Sequence, residues 1–219
     1  FGPGLSDCET MKISRKIRTC LFAVLLALLT VVVLFLGAAW VLEYRPAERE
    51  VVYRGDRPGV LPDTLTVLSW NIGYAGLGAD MDVFYDGGTR VRDTRERTAA
   101  NLEHIIEVLQ AADADVMLLQ EVDRYSKRTY RVNEVQRLRE AFPDYTLAFA
   151  YNYKAWWVPI PLGRPLGRVE SGLVMLSRVK PLKAVRWRYP SAFPFPERMF
   201  NLKRCLLSAE FLTARGDTL

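Results

Sequence analysis

The sequence predicts an α/β domain behind a transmembrane helix, and three observations carry that prediction. Residues 21–42 contain no charged side chain. Two short runs, Thr66-Val67-Leu68-Ser69-Trp70-Asn71-Ile72 and Val116-Met117-Leu118-Leu119-Gln120-Glu121-Val122, read as strands that each end in a polar group. Between them apolar residues recur at helical spacing, and strand, helix and strand in this order suggest a sheet with helices packed on it.

The charge-free run comes first. At about 1.5 Å per residue its length covers the ~30 Å hydrocarbon core of a bilayer, and no polar stripe interrupts it. Lys12, Arg15, Lys16 and Arg18 precede it, whereas Glu43, Arg45, Glu48, Arg49 and Glu50 on the far side are mixed in sign. The positive-inside rule then leaves residues 1–20 in the cytoplasm and everything after residue 42 outside it. Gly37-Ala38-Ala39 is a candidate signal-peptidase site. The run exceeds the roughly 7–15 residues of a cleavable signal, so an uncleaved signal anchor is expected. The chain starts at Phe1, with Met11 just before the basic cluster, and stops at Thr218-Leu219 without a turn signal, so it reads as a fragment.

Half the residues are hydrophobic and 25% are charged, which is a globular rather than a disordered composition. Four of the positive charges behind the net +5 belong to the membrane flank, so the electrostatic footprint of a nucleic-acid binder is weak. Cys8, Cys20 and Cys205 offer neither a metal spacing nor a disulfide framework, and Cys205, in an apolar run, reads as a buried inert thiol.

Residues 43–64 are charged and carry Pro46, Pro58 and Pro62, so they read as a stalk to a domain over 65–219. A strand at 65–71 opens that domain, and a glycine-rich loop over 73–88 follows. Asp93 with Glu96 forms a capping box, and Leu102, Ile105, Ile106 and Leu109 mark the buried face of the helix it starts. A strand at 116–121 follows. A second helix over 132–142 buries Val132, Val135, Leu138 and Phe142 before Pro143 ends it. Strands are expected at 145–150, 172–177 and 205–212. Residues 151–168 read as a loop rich in aromatics and prolines.

A carboxylate at the end of an apolar run is usually there for chemistry, because burying ionised Glu is costly unless something positive compensates it. The helix between the strands lets Asn71 and Glu121 emerge side by side at one sheet edge, where open α/β sheets bind ligands. Carboxylate and amide oxygens make a hard-oxygen site that suits Mg²⁺, with Mn²⁺ as its alternative, and the lack of Cys or His pairs disfavours zinc. Taken singly, Asn71 more often bonds a loop and Glu121 an arginine. The pair, with the helix between, tips the balance to a site.

Leu68-Ser69-Trp70-Asn71-Ile72, Leu118-Leu119-Gln120-Glu121-Val122 and Ser171-Gly172-Leu173-Val174-Met175-Leu176-Ser177-Arg178 resemble, in order and spacing, the first three motifs of the endonuclease/exonuclease/phosphatase superfamily. The resemblance runs from about residue 65 to residue 219. It implies a four-layered α/β sandwich with two central sheets flanked by helices, and Mg²⁺-dependent hydrolysis of a phosphoester. On matching positions it implies that Glu121 binds the metal and that Asn71 sits beside it, orienting metal or phosphate. Glu170 resembles the acidic residue that some nuclease members place near the catalytic histidine. Lys203 or Arg204 is expected either to contact phosphate or to be a solvated strand end. The family's later motifs, with their Asn, His and Asp residues, do not occur in this sequence. An incomplete active site with little or no activity in this fragment is therefore expected, with the C-terminal part of the domain missing and its catalytic partners beyond Leu219.

His104, the one histidine, lies next to Ile105 on the predicted helix and reads as structural. In Tyr151-Asn152-Tyr153-Lys154-Ala155-Trp156-Trp157, the tyrosines and Lys154 are candidates for phosphate. Trp156 and Trp157 are candidates for a membrane surface, a base or the core.

The leading expectation is a membrane-tethered, extracytoplasmic Mg²⁺-dependent phosphoesterase. Its partners would be the bilayer, through residues 21–42, and a lipid, nucleotide or nucleic-acid phosphoester; no protein partner is implied. The alternative from another class is a non-catalytic binding module on the same fold.

Overall fold

The computed structural model describes residues 5–190 and 193–219. Phe1 lies outside the described residues, as do the side chains of Cys8, Met11 and Lys12. The chain divides into two compact units, residues 1–42 and 43–219.

In the first unit, helix α1 (Leu5–Val41) is longer than the apolar run and carries the basic flank as helix. Within its segment Arg15–Val41 an 18-residue stretch has a mean hydropathy of 3.0, so the helix is long and apolar enough to cross a membrane. The hydroxyl of Thr30 donates to the carbonyl oxygen of Leu26 at 2.8 Å, which satisfies a polar group that hydrocarbon could not.

The second unit contains two sheets. Strands β2 (Val67–Asn71), β3 (Val116–Asp123), β4 (Thr146–Val158) and β5 (Gly167–Ser177) form one sheet in the order β2-β3-β5-β4. Strands β1 (Arg49–Arg54), β6 (Lys183–Arg188) and β7 (Cys205–Glu210) form the other in the order β1-β6-β7. Successive residues of a strand point to opposite faces, and the cores divide accordingly. Met117, Leu119, Val174 and Leu176 pack against Leu102, Ile106 and Leu109 of helix α2 (Arg95–Ala112) and Leu138 of helix α3 (Glu134–Ala141). Their neighbours Val116, Ala148 and Met175 face the other way and pack with Ala184 of β6 and Phe211. Helices, a four-stranded sheet and a three-stranded sheet are thus stacked in layers, and β3 and β5 read as continuous apolar runs because both their faces are covered.

Four elements differ from the sequence reading. Residues 43–64 are not all stalk, because Arg49–Arg54 pairs antiparallel with β6 as an edge strand. Its Val52 and Tyr53 pack against the core between the sheets, and the flanking charges and prolines masked a short run of strand-forming residues. Helix α2 is capped by Thr94, whose hydroxyl accepts from the Arg97 amide at 3.2 Å. Asp93 instead binds the Arg97 guanidinium at 3.0 Å and accepts from the Thr94 amide. Most of the aromatic loop is strand, since β4 runs to Val158 and buries Tyr153, Ala155 and Val158; aromatic residues favour strands, and the proline cluster begins only at Pro159. His104 is exposed on α2 and is not a core residue. Cys205 is buried as expected, and burial pushes its thiol pKa up.

Candidate active site

Strands β2 and β3 are parallel, with Asn71 opposite Gln120, so their C-terminal ends lie side by side. Between Leu119 and Val122 the pairing of β3 with β5 shifts register: two residues of β3, Gln120 and Glu121, stand against Leu173 alone. This is a β-bulge, and Glu121 within it has φ +55°. A residue with a Cβ pays roughly 1–2 kcal/mol for that backbone conformation. The bulge re-aims Glu121 within a strand whose flanking Leu119 and Val122 stay buried.

The re-aimed carboxylate meets Asn71. The Asn71 Nδ2 donates to Glu121 Oε1 at 3.0 Å. The Asn71 Oδ1 accepts from the Gly73 amide, also at 3.0 Å. An amide N–H can only donate, so this contact fixes the oxygen on Gly73 and leaves the nitrogen for Glu121. The sequence reading gave Asn71 two roles, metal ligand and substrate contact. In the structure its amide bridges the Glu121 carboxylate and the Gly73 amide.

The chain after Asn71 turns through Gly73, Tyr74 and Ala75, all with positive φ. The Asn101 Nδ2 pins that turn by donating to the Ala75 carbonyl at 3.0 Å. The turn buries Tyr74 and places its ring 3.4 Å from the Arg128 guanidinium carbon. The other contacts of Arg128 are equally fixed. Its Nε and Nη2 donate to the two Asp123 oxygens at 2.9 and 2.8 Å, with both side chains almost fully buried. Burial alone would lower the arginine pKa, but the Asp123 charge and hydrogen bonds outweigh it and raise it. Glu134 completes the cluster by accepting from the Asp123 amide at 2.7 Å through Oε2, while its Oε1 has no hydrogen-bond partner among the described residues. Burial, reinforced by the Asp123 charge, pushes the Glu134 pKa well up, as suits a carboxyl that stays protonated.

Glu121 and Arg128 line a cleft of about 410 Å³ together with Tyr74, Asn152, Ser171 and Asn201. Among the described residues the buried Ser171 hydroxyl there has no hydrogen-bond partner. Asn71 lines a neighbouring groove of about 560 Å³ with Trp70, Leu77 and His104, so the Asn71–Glu121 bond lies between two concavities. The floor of the cleft depends on Gly172, where a Cβ would come within 2.2 Å of the Ala150 carbonyl oxygen.

A sequence model of the Endonuclease/Exonuclease/phosphatase family matches residues 68–214, more than half of the chain. The chain belongs to this family. The match contains all three motifs read from the sequence. The chain is also similar to a solved endonuclease/exonuclease/phosphatase from Beutenbergia cavernae DSM 12333, at 22% identity and a TM-score of 0.40. That match covers 70% of this chain and 36% of the other, so the chain spans little more than a third of that relative's length. No curated protein matches.

The other candidate residues lie outside the Glu121 cleft or at its margins. Glu170 is buried on β5, where it binds the Arg168 guanidinium (Nε at 2.7 Å) and accepts from the Tyr151 hydroxyl at 3.1 Å. Lys154 stands opposite Glu170 on β4, with its ammonium over the Tyr151 ring at 4.5 Å. Neither lines the Glu121 cleft. The Lys203 ammonium is engaged by Glu43 at 2.8 Å and by the Arg198 carbonyl. Burial raises the Glu43 pKa, but the hydrogen bonds from Lys203 and Arg45 prevail and lower it. Arg204 is an exposed strand end. The sequence reading missed Arg128 and Tyr74. The signal for Arg128 was Asp123, a second acid two residues after Glu121 in a strand that could not bury it unpaired.

The Glu121 carboxylate shares its cleft with the side-chain oxygens of Asp86, Asn152, Ser171 and Asn201, hard donors that suit a cation of the Mg²⁺ type and not a soft metal. Among the described residues no group of three or more His, Cys, Asp or Glu gathers to form a metal cage. Mg²⁺ commonly takes one or two carboxylates and completes its shell with water and substrate phosphate. The single Glu121 fits that pattern.

Proposed function

We propose that this chain is part of a divalent-metal-dependent phosphoester hydrolase, with Glu121 as the metal ligand and Asn71 as the residue that orients it. The observation that carries this reading is the Glu121 bulge. A non-glycine residue is held in the left-handed region at the end of a strand, and its carboxylate is caught by a side chain from the adjacent strand end. Strain of this kind tends to concentrate at functional sites.

Mg²⁺, or Mn²⁺ in its place, would supply charge neutralisation at the phosphoryl oxygens. The chain's own groups bind and orient. Arg128 lines the cleft with its Nε and Nη2 bound to Asp123, which leaves Nη1 to donate to a phosphate oxygen. The Ser171 hydroxyl can donate to a phosphate oxygen. Family membership supports a phosphoester substrate, and helix α1 with its basic N-terminal flank supports a single-pass anchor with the domain outside the cytoplasm.

The test is hydrolysis of bis(p-nitrophenyl) phosphate with Mg²⁺ and with EDTA, for the full-length protein that contains this chain and for its Glu121→Gln variant. Metal-dependent turnover that falls by roughly a hundredfold or more in the variant is expected. Turnover equal in the two proteins would overturn the assignment of Glu121. Metal binding without any turnover in the full-length protein would favour the non-catalytic binding module.

A further inference from the structure

Arg128 lines a second concavity besides the Glu121 cleft. This cleft, of about 900 Å³, lies between the start of α2, the turn at 127–130 and the loop at 163–166. Its cations are Arg90, Arg92, Arg95, Lys127, Arg128 and Arg164, and its acids are Asp93 and Glu96. Asp93 is paired with Arg97 and Arg128 with Asp123, so these two leave the balance of the cleft unchanged. Arg90, Arg95 and Arg164 are exposed and make no side-chain hydrogen bond or ion pair among the described residues. Glu96 alone remains to offset them. Guanidinium groups collected in one concavity repel one another unless an anion shares it, and their planar donors match phosphate.

The shape and chemistry limit the anion. Single-stranded nucleic acid binds through aromatic platforms as well as charge. The one aromatic residue lining this cleft, Tyr130, has the Arg92 guanidinium over its ring at 5.2 Å, and its hydroxyl donates to the Asp93 carbonyl at 2.8 Å. Nearby, Lys127 covers the Trp157 ring at 5.3 Å. One face of each ring is thus covered by a cation, and the volume is that of a small-molecule site.

We propose that this cleft is a second anion subsite, binding a phosphate of the substrate other than the one that reacts at Glu121. The substrate is then a compact molecule with at least two phosphate groups, either free in solution or the headgroup of a lipid. The subsite takes its meaning from the phosphoesterase reading of the Glu121 cleft, but its binding can be measured without metal.

The experiment titrates the full chain in detergent, with EDTA present, with inorganic pyrophosphate by calorimetry. The parent protein binds, the Arg95→Gln/Arg164→Gln double variant is weakened by roughly tenfold with its thermal midpoint unchanged, and Glu121→Gln binds like the parent. Equal affinity in the parent and the double variant, or no binding by the parent, overturns the subsite. Loss of pyrophosphate binding in Glu121→Gln with none in the double variant also overturns it, because the anion then sits at the other cleft. Failure of the hydrolase reading shows separately, as metal-dependent turnover unaffected by Glu121→Gln. Inositol trisphosphate and dibutanoyl phosphatidylinositol bisphosphate form the second arm. Equal affinities indicate a soluble substrate and tighter binding of the acylated compound a lipid one; either supports the subsite. A DNA oligonucleotide that binds more tightly than pyrophosphate, and loses affinity in the double variant, overturns the compact substrate.

Discussion

Asn71 donates to Glu121 across 3.0 Å, and this bond joins the ends of two parallel strands whose residues lie 50 positions apart in the chain. The Gly73 amide holds the other end of the Asn71 side chain. The backbone of Glu121 is held at φ +55° while its side chain is held by this relay, so geometry and strain converge on one carboxylate.

The strain predicts an unusual order of stabilities. Glycine adopts φ near +55° without penalty, whereas alanine does not. Glu121→Gly is therefore expected to be more stable than Glu121→Ala by roughly 1 kcal/mol, and both to lose metal binding. Chemical denaturation of the two variants side by side checks this, and equal midpoints would remove the strain argument.

Asn71→Ala frees the Glu121 carboxylate without deleting it. Loss of an orienting partner of a metal ligand typically costs 10–100-fold in affinity, and the two lost hydrogen bonds cost about 1 kcal/mol each. Mn²⁺ affinity should drop within that range while the fold persists. Unchanged affinity would mean that Asn71 serves only the Gly73 turn.

The β4–β5 pairing below the cleft depends on close approach at Gly172. A Cβ there would stand 2.2 Å from the Ala150 oxygen and 2.7 Å from the Phe149 ring, so Gly172→Ala should destabilise by roughly 1–3 kcal/mol. Gly163→Ala, where a Cβ meets nothing within 4 Å, should stay within about 0.5 kcal/mol of the parent. Urea midpoints compare the two directly.

Glu134 gives a pH signature. Its ordinary pKa of 4.5 is raised in the fold by burial and by the Asp123 charge. Above pH 4.5 the unfolded chain loses this proton while the folded chain keeps it. The contribution to stability is thus complete below that pH and declines as pH rises towards the native value, by up to about 1.4 kcal/mol per unit. Glu134→Gln holds a neutral group at every pH, so its stability should lack this decline and exceed that of the parent at neutral pH. Parallel pH profiles for the two proteins would contradict the buried neutral carboxyl.

Much of the site was legible because it rests on local order. The strand ends at Asn71 and Glu121 follow from apolar runs with a helical pattern between them, and the face of α2 follows from the spacing of Leu102, Ile105, Ile106 and Leu109, all buried. What the sequence hid was non-local. The bulge at Glu121 exists only against β5, and Arg128 acquires its role from Tyr74, more than fifty residues earlier. Strand β1 was masked because a short apolar triplet among charges and prolines needs β6 beside it to become a strand. Lys203 looked available for phosphate because its partner, Glu43, lies 160 residues away.

The most direct test of the metal site is the electron paramagnetic resonance of Mn²⁺ titrated into the protein, with Mg²⁺ as competitor. One Mn²⁺ site is predicted, displaced by Mg²⁺, lost in Glu121→Gln and retained in Glu170→Gln. Mn²⁺ occupancy in Glu121→Gln equal to that of the parent would contradict the assignment of Glu121 as the metal ligand.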